Sequence, residues 1–152
     1  MKKLAAGLAA VFFLCAGCAI LPKSDFSMSA EKSVQAANLS ADATKTLAGL
    51  SEIEEAIRDY YAHERRIPDS LNALVPQYLA EIPTVELGLP EHRDTNRVTN
   101  YDPAVLIDGV VDGARIADTG GWGYVHKDRQ VVVFVDCTHL SPNGTPWYTR
   151  QP

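Results

Sequence analysis

Apolar side chains fall at Leu47, Leu50, Ile53, Ile57, Tyr60 and Tyr61, with Glu52, Glu55, Arg58 and Asp59 largely off that line. Gaps of three and four residues put such a set on one side of an α-helix. A helix with one apolar stripe is stable only against a second layer, so this spacing constrains the fold more than any other feature of the chain. Ser51-Glu52-Ile53-Glu54 has the spacing of a capping box. Ala41 to Ala48 is rich in good helix formers, however, so the helix is expected to begin already near Ser40 or Asp42. It must stop before Pro68, because proline disfavours helical geometry in the residue before it, Ile67. "PDSLNALVPQYL" (68–79) then reads as a short capped helix. Asp69 or Ser70 supplies the cap, Leu71, Leu74, Val75 and Leu79 the buried side, and Pro76 a break.

The second layer is expected in the C-terminal third. Asp108-Gly109 and Asp112-Gly113 are hairpin-type turn signals among β-branched residues. Trp122 to His126 and Gln130 to Val135 read as two strands around a three-residue turn, Lys127 to Arg129. "VVVFV" is apolar on both faces and so is expected to be the central strand. Val131, Val133 and Val135 share one face, toward Leu50, Ile53, Ile57 and Tyr61 of the helix; Val132 and Phe134 share the other. Residues 84–105 read as a long polar connection. The fold class expected is α+β, a long N-terminal helix packed on a small antiparallel sheet.

The chain ahead of this domain has a different character. Lys2 and Lys3 precede a run without charge from Leu4 to Pro22, too short in its apolar core for a membrane span and shaped like a secretory signal peptide. "CAGC" (15–18) resembles the lipobox of bacterial lipoproteins, with Cys15 where that motif usually has Leu. The resemblance implies cleavage after Gly17, lipidation of Cys18, and a membrane held through that lipid. Two or three acyl chains anchor a small domain stably, at about 0.8 kcal/mol for each buried CH₂. The expected organisation is therefore a signal peptide at 1–17, a lipidated N-terminus and polar tether at 18–38, and one globular domain at 39–152. Ala19 after Cys18 resembles lipoproteins sorted to the outer membrane of a Gram-negative host, facing the periplasm or the surface.

Composition limits the partners. The net charge is −5, and losing Lys2 and Lys3 takes it to −7. With no basic stripe, nucleic acid is a poor partner. Of three cysteines, Cys15 leaves with the signal and Cys18 carries lipid, so Cys137 stands alone and forms no intramolecular disulfide.

"IEEAIRDYYAHERRIPDSLNALVPQYLAEIP" (53–83) is similar to the region of type II secretion pseudopilins and type IV pilin-like proteins where the long helix leaves the filament core. Tyr60, Tyr61, Pro68, Ser70, Leu71, Leu74, Val75, Tyr78, Leu79 and Pro83 carry that likeness, while Arg65 or Arg66 replaces the family's turn glycine. "GGWGYVHKDRQVVVF" and "SPNGTPWYT" resemble the family's ending through Gly120, Gly121, Trp122, Tyr124, Gly144, Thr145, Pro146, Trp147 and Tyr148. The resemblance implies a pilin-like head and a role in a secretion or pilus system. No prepilin peptidase site with a long apolar helix follows Cys18, so assembly into a filament core is not expected. The family's acidic calcium loop is also absent from 137–152, which has no carboxylate side chain.

Catalytic patterns are weak. His63, His92, His126 and His139 lie in no zinc or triad spacing, and His126, His139 and Asp136 are the one trio the sheet would bring near each other. Asp118-Thr119-Gly120-Gly121 reads as a tight turn rather than half of an aspartic-protease site. No catalytic residue, metal or cofactor is expected. The expectation is a non-enzymatic interaction module binding a protein partner through Trp147, Tyr148 and Trp122; the alternative is a small periplasmic ligand-binding or hydrolytic lipoprotein.

Overall fold

The computed structural model describes residues 25–127 and 129–149; the expected signal segment 1–17 and Cys18 lie outside the described residues. The first element, α1 (Asp25–Glu64), is 40 residues long. Part of the segment expected as a polar tether is thus helical from Asp25 onward. Residues 31–38 are exposed on every side, so no tertiary packing explains their helix. Good helix formers (Glu31, Lys32, Gln35, Ala36, Ala37) extend a helix already nucleated by its packed C-terminal half, and propagation costs little once a nucleus exists. No helix among the described residues is long and apolar enough to cross a membrane.

Burial on α1 begins at Ala43 and continues through Thr46, Leu50, Ile53, Ala56 and Tyr60. Ile57 is only half-buried, and Tyr61 is 43% exposed, contrary to its expected place on the sheet-facing stripe. At 100° per residue Tyr60 lies about 20° from Ile53 around the helix, whereas Tyr61 lies about 80° away. Ser51 sits inside the helix with its hydroxyl donating to the Leu47 carbonyl at 3.2 Å, so it is no cap.

The helix exit is built without glycine. Arg65 takes φ 59 and its N–H donates to the Tyr61 carbonyl at 3.0 Å, a left-handed terminus on a residue that adopts it at a cost. Tyr60 compensates by packing edge-on to Tyr78 (5.2 Å between centroids) under the Arg66 guanidinium at 5.5 Å. The expected second helix shrinks to one 3₁₀ turn, Leu71–Leu74, with both leucines buried and Ser70 making no side-chain cap.

The sheet is mixed rather than antiparallel. β1 (Val98–Asn100) runs parallel to β4 (Trp122–Lys127), which pairs antiparallel with β5 (Gln130–Val135). The order β1-β4-β5 puts β4 in the centre and the valine-rich β5 at the edge, reversing the expectation. β5 is apolar on both faces because both faces are covered. Val131, Val133 and Val135 join the cluster under α1; Val132 and Phe134 join a second cluster with Val105, Val111 and Val125. The second cluster is roofed by the hairpin β2 (Leu106–Ile107) and β3 (Val110–Val111), turned at Asp108 (φ 51) and Gly109 (φ 81) as the sequence predicts. Asp112-Gly113 instead makes an Asx turn, with the Ala114 N–H donating to the Asp112 carboxylate at 3.0 Å. Lys127 pairs with Gln130 within the ladder, so it belongs to the strand and not to the turn.

The connection read as a polar loop carries part of the core. Val85 and Leu87 are buried, and Val85 forms an isolated bridge with Thr95. Thr46 anchors this stretch to α1: its hydroxyl donates to the Glu86 carbonyl at 2.7 Å and accepts the Glu86 N–H at 2.8 Å. Trp122 Nε1 donates to the Pro83 carbonyl at 2.6 Å, and the Tyr124 hydroxyl to the Pro68 carbonyl at 2.5 Å. These bonds tie the central strand to the loops leaving the helix.

Candidate metal centre

Four side chains from three separate segments converge beside the end of β5: His92, Asp118, Cys137 and His139. One ligand-capable atom from each lies within 4.8 Å of all the others. His92 Nε2 is 3.3 Å from His139 Nδ1 and 3.4 Å from Asp118 Oδ1. Cys137 Sγ is 3.5 Å from His139 Nδ1, which is 3.9 Å from Asp118 Oδ1.

Each residue is positioned by local structure. Cys137 and His139 follow β5 directly: the Cys137 N–H closes a tight turn on the Val135 carbonyl at 2.8 Å, and His139 lies at a bend two residues on. The C-terminal segment holds them there: the Tyr148 N–H donates to the Cys137 carbonyl at 3.1 Å and the Trp147 N–H to the His139 carbonyl at 3.0 Å. Asp118 (φ 55) opens the tight turn before β4, in a left-handed conformation that Asp tolerates. Asp136, fully buried, fixes this turn by accepting the Asp118 N–H (3.1 Å), the Thr119 N–H (3.3 Å) and the Thr119 hydroxyl (2.5 Å). Gly120 makes room for His92: a Cβ there would lie 2.7 Å from the imidazole Cγ and Nδ1. The His92 side chain is only 8% exposed as a result, while those of Asp118 and His139 stay open at 34% and 36%.

Burial raises the Cys137 thiol to about 11, outweighing a lowering bond from the His139 backbone. It is therefore a protonated thiol near neutrality and a poor nucleophile. Burial also works to raise Asp118, but the Thr138 N–H, donating at 2.8 Å, and the two imidazoles outweigh it and hold the carboxyl below its ordinary value.

The expected binding residues sit elsewhere and mostly inside. Trp122 is fully buried under α1 and Trp147 is 3% exposed in the same cluster, which corrects their assignment to a surface. Tyr148 is half-buried against the second cluster. Their indole and phenol surfaces complete the core because α1 and the hairpin each cover one face of a three-stranded sheet. The expected trio His126, His139 and Asp136 does not form: His126 points to solvent beside Tyr124 (5.8 Å between centroids), and Asp136 turns into the 118–119 loop. His63 bonds to the Asp59 carbonyl at 2.8 Å in the last helical turn. The signal that would have found half the cluster is the Cys137-Thr138-His139 spacing; His92 and Asp118 reach it only through tertiary structure.

Comparison with protein-family models, with curated proteins and with solved structures finds no match for this chain.

Proposed function

We propose that this chain is a non-enzymatic, lipid-anchored module of the bacterial cell envelope, with a pilin-like head that binds a protein partner at the outer membrane in a secretion or pilus system. The observation that carries the reading is the polar first half of α1. Residues 31–38 are exposed all round and contribute nothing to the core, which starts at Ala43. A helix of this kind serves as a spacer: residues 25–42 span about 27 Å. The order of long helix, left-handed exit and C-terminal sheet supports a pilin-like head, with Arg65 at the exit where the resembling proteins have glycine. The outer edge of β5 is unpaired among the described residues and is flanked by open grooves, one lined by Ile57, Arg58 and Val131, the other by Val110, Val132 and Tyr148. An edge of this kind can accept an extended segment of a partner.

The test is Cys18→Ser in the full chain. We expect loss of palmitate labelling and release from the membrane fraction, with a photo-crosslinker at Val110 capturing a neighbour only in the anchored form. Unchanged labelling and partitioning would refute the anchor.

A further inference from the structure

We propose that His92, Asp118, Cys137 and His139 form a tetrahedral site for a zinc-class divalent cation, which staples the 84–97 segment and the 118–121 turn to the end of β5. The spacing is the first argument. Zinc bonds of about 2.0–2.3 Å in a tetrahedron separate neighbouring ligand atoms by roughly 3.3–3.7 Å. Three of the separations, 3.3, 3.4 and 3.5 Å, fall in that window and a fourth, 3.9 Å, lies just outside it.

The second argument is one of valence. His139 Nδ1 has one in-plane position, either a proton or a lone pair, yet faces Cys137 Sγ, His92 Nε2 and Asp118 Oδ1 together. Without a cation the Cys137 thiol proton and the His92 Nε2–H compete for that one lone pair, while the same His92 Nε2–H also faces Asp118 Oδ1, so one acceptor meets two donors and one donor meets two acceptors. A cation at their centre satisfies all four atoms at once, because each then directs a lone pair at the same point.

Donor type selects the ion. Two imidazoles, one thiolate and one carboxylate suit zinc, whereas magnesium and calcium take oxygen ligands alone. Four protein ligands leave no open position, so the site is structural rather than catalytic. Outer contacts support it as metal sites require: Thr138 N–H holds Asp118 Oδ1, Asp136 holds the Asp118 turn, and Gly120 lets the His92 ring approach. The open Asp118 and His139 side chains give an ion a route inward.

The experiment uses the purified full chain, stripped with chelator and titrated with zinc alone and with cobalt(II) alone. We expect one zinc per chain and a raised thermal midpoint. Cobalt should give the intense visible bands of a tetrahedral centre and a sulfur-to-cobalt charge-transfer band. Cys137→Ser should abolish the charge-transfer band, and His92→Ala and Asp118→Asn should each weaken zinc binding at least about tenfold. Should the serine variant fail to fold, the cobalt spectrum of the native chain and the His92 and Asp118 variants decide the matter. Sub-stoichiometric zinc, a pale octahedral cobalt spectrum, or affinity unchanged in His92→Ala and Asp118→Asn would overturn the proposal.

Discussion

Replacing Trp147 by alanine separates a core role from a binding role more sharply than any other change. The indole is 3% exposed and belongs to the cluster that includes Ala43, Leu50 and Ile53 of α1. It also borders a groove against Ser40, Ala43 and Leu47, so it is the contact through which the C-terminal segment grips the start of the packed helix. Truncating a buried tryptophan costs about 3–5 kcal/mol through lost burial and the cavity left behind. A domain of this size has roughly 5–15 kcal/mol in all, so the loss is a large fraction of the total. With a urea slope of about 1–3 kcal/mol/M, the midpoint should fall by roughly 1 M or more. Equilibrium urea unfolding by circular dichroism reads this directly, and Tyr148→Ala, truncating a half-buried ring, should move it less. A Trp147→Ala midpoint within about 0.2 M of the parent, under the slope just given, would put the indole on the surface and refute the packing described here.

Two further outcomes follow from the sheet and its tyrosines. Gly123→Ala would place a Cβ 2.2–2.6 Å from three Phe134 ring atoms; we expect a loss of about 1–3 kcal/mol by overpacking, partly relieved when Phe134 is also shortened to leucine, measured by the same unfolding curves. Burial pushes the Tyr101 phenol up from 10.0 to about 12, against a lowering bond from the Ala117 N–H. Since the folded value lies above the unfolded one, this contribution to stability is whole below pH 10 and is lost as pH rises through 12. The folded chain should therefore show no more phenolate absorbance than Tyr101→Phe as pH passes 10, and should gain one tyrosine over it only as pH rises through about 12; a one-tyrosine excess already near pH 10 would contradict the burial of Tyr101.

Local pattern carried some of this architecture and not the rest. The α1 stripe, the Asp108-Gly109 hairpin and the β4–β5 pair were legible because each depends on neighbours a few residues apart. Tyr60 and Tyr61 could not be ranked by apolarity alone; the helical angle relative to Ile53 decides between them. β1 left no trace, since Val98–Asn100 is three residues with no alternation and owes its existence to pairing with β4. Apolarity on both faces of β5 reports cover above and below, not the presence of strands on either side, so edge and centre were indistinguishable. Trp122 and Trp147 followed the same logic: an aromatic side chain reads identically whether it closes a core or opens an interface. The His92–Asp118–Cys137–His139 cluster is wholly tertiary except for its Cys-x-His pair.

The exposed stretch of α1 ahead of the core is an extensible connection. Residues 31–38 are exposed on every side, so that stretch owes its helix to local propensity, with no burial to resist unwinding. Each residue that leaves the helix lengthens the chain from about 1.5 Å to about 3.3 Å, so pulling out all of residues 25–42 would stretch roughly 27 Å to about 60 Å. Unwinding would halt at Ala43, where the core begins to hold. The packed part of the chain, from Ala43 onward, would thus stay folded under a pull along the axis of the helix, as a float lets out line until it meets a stop.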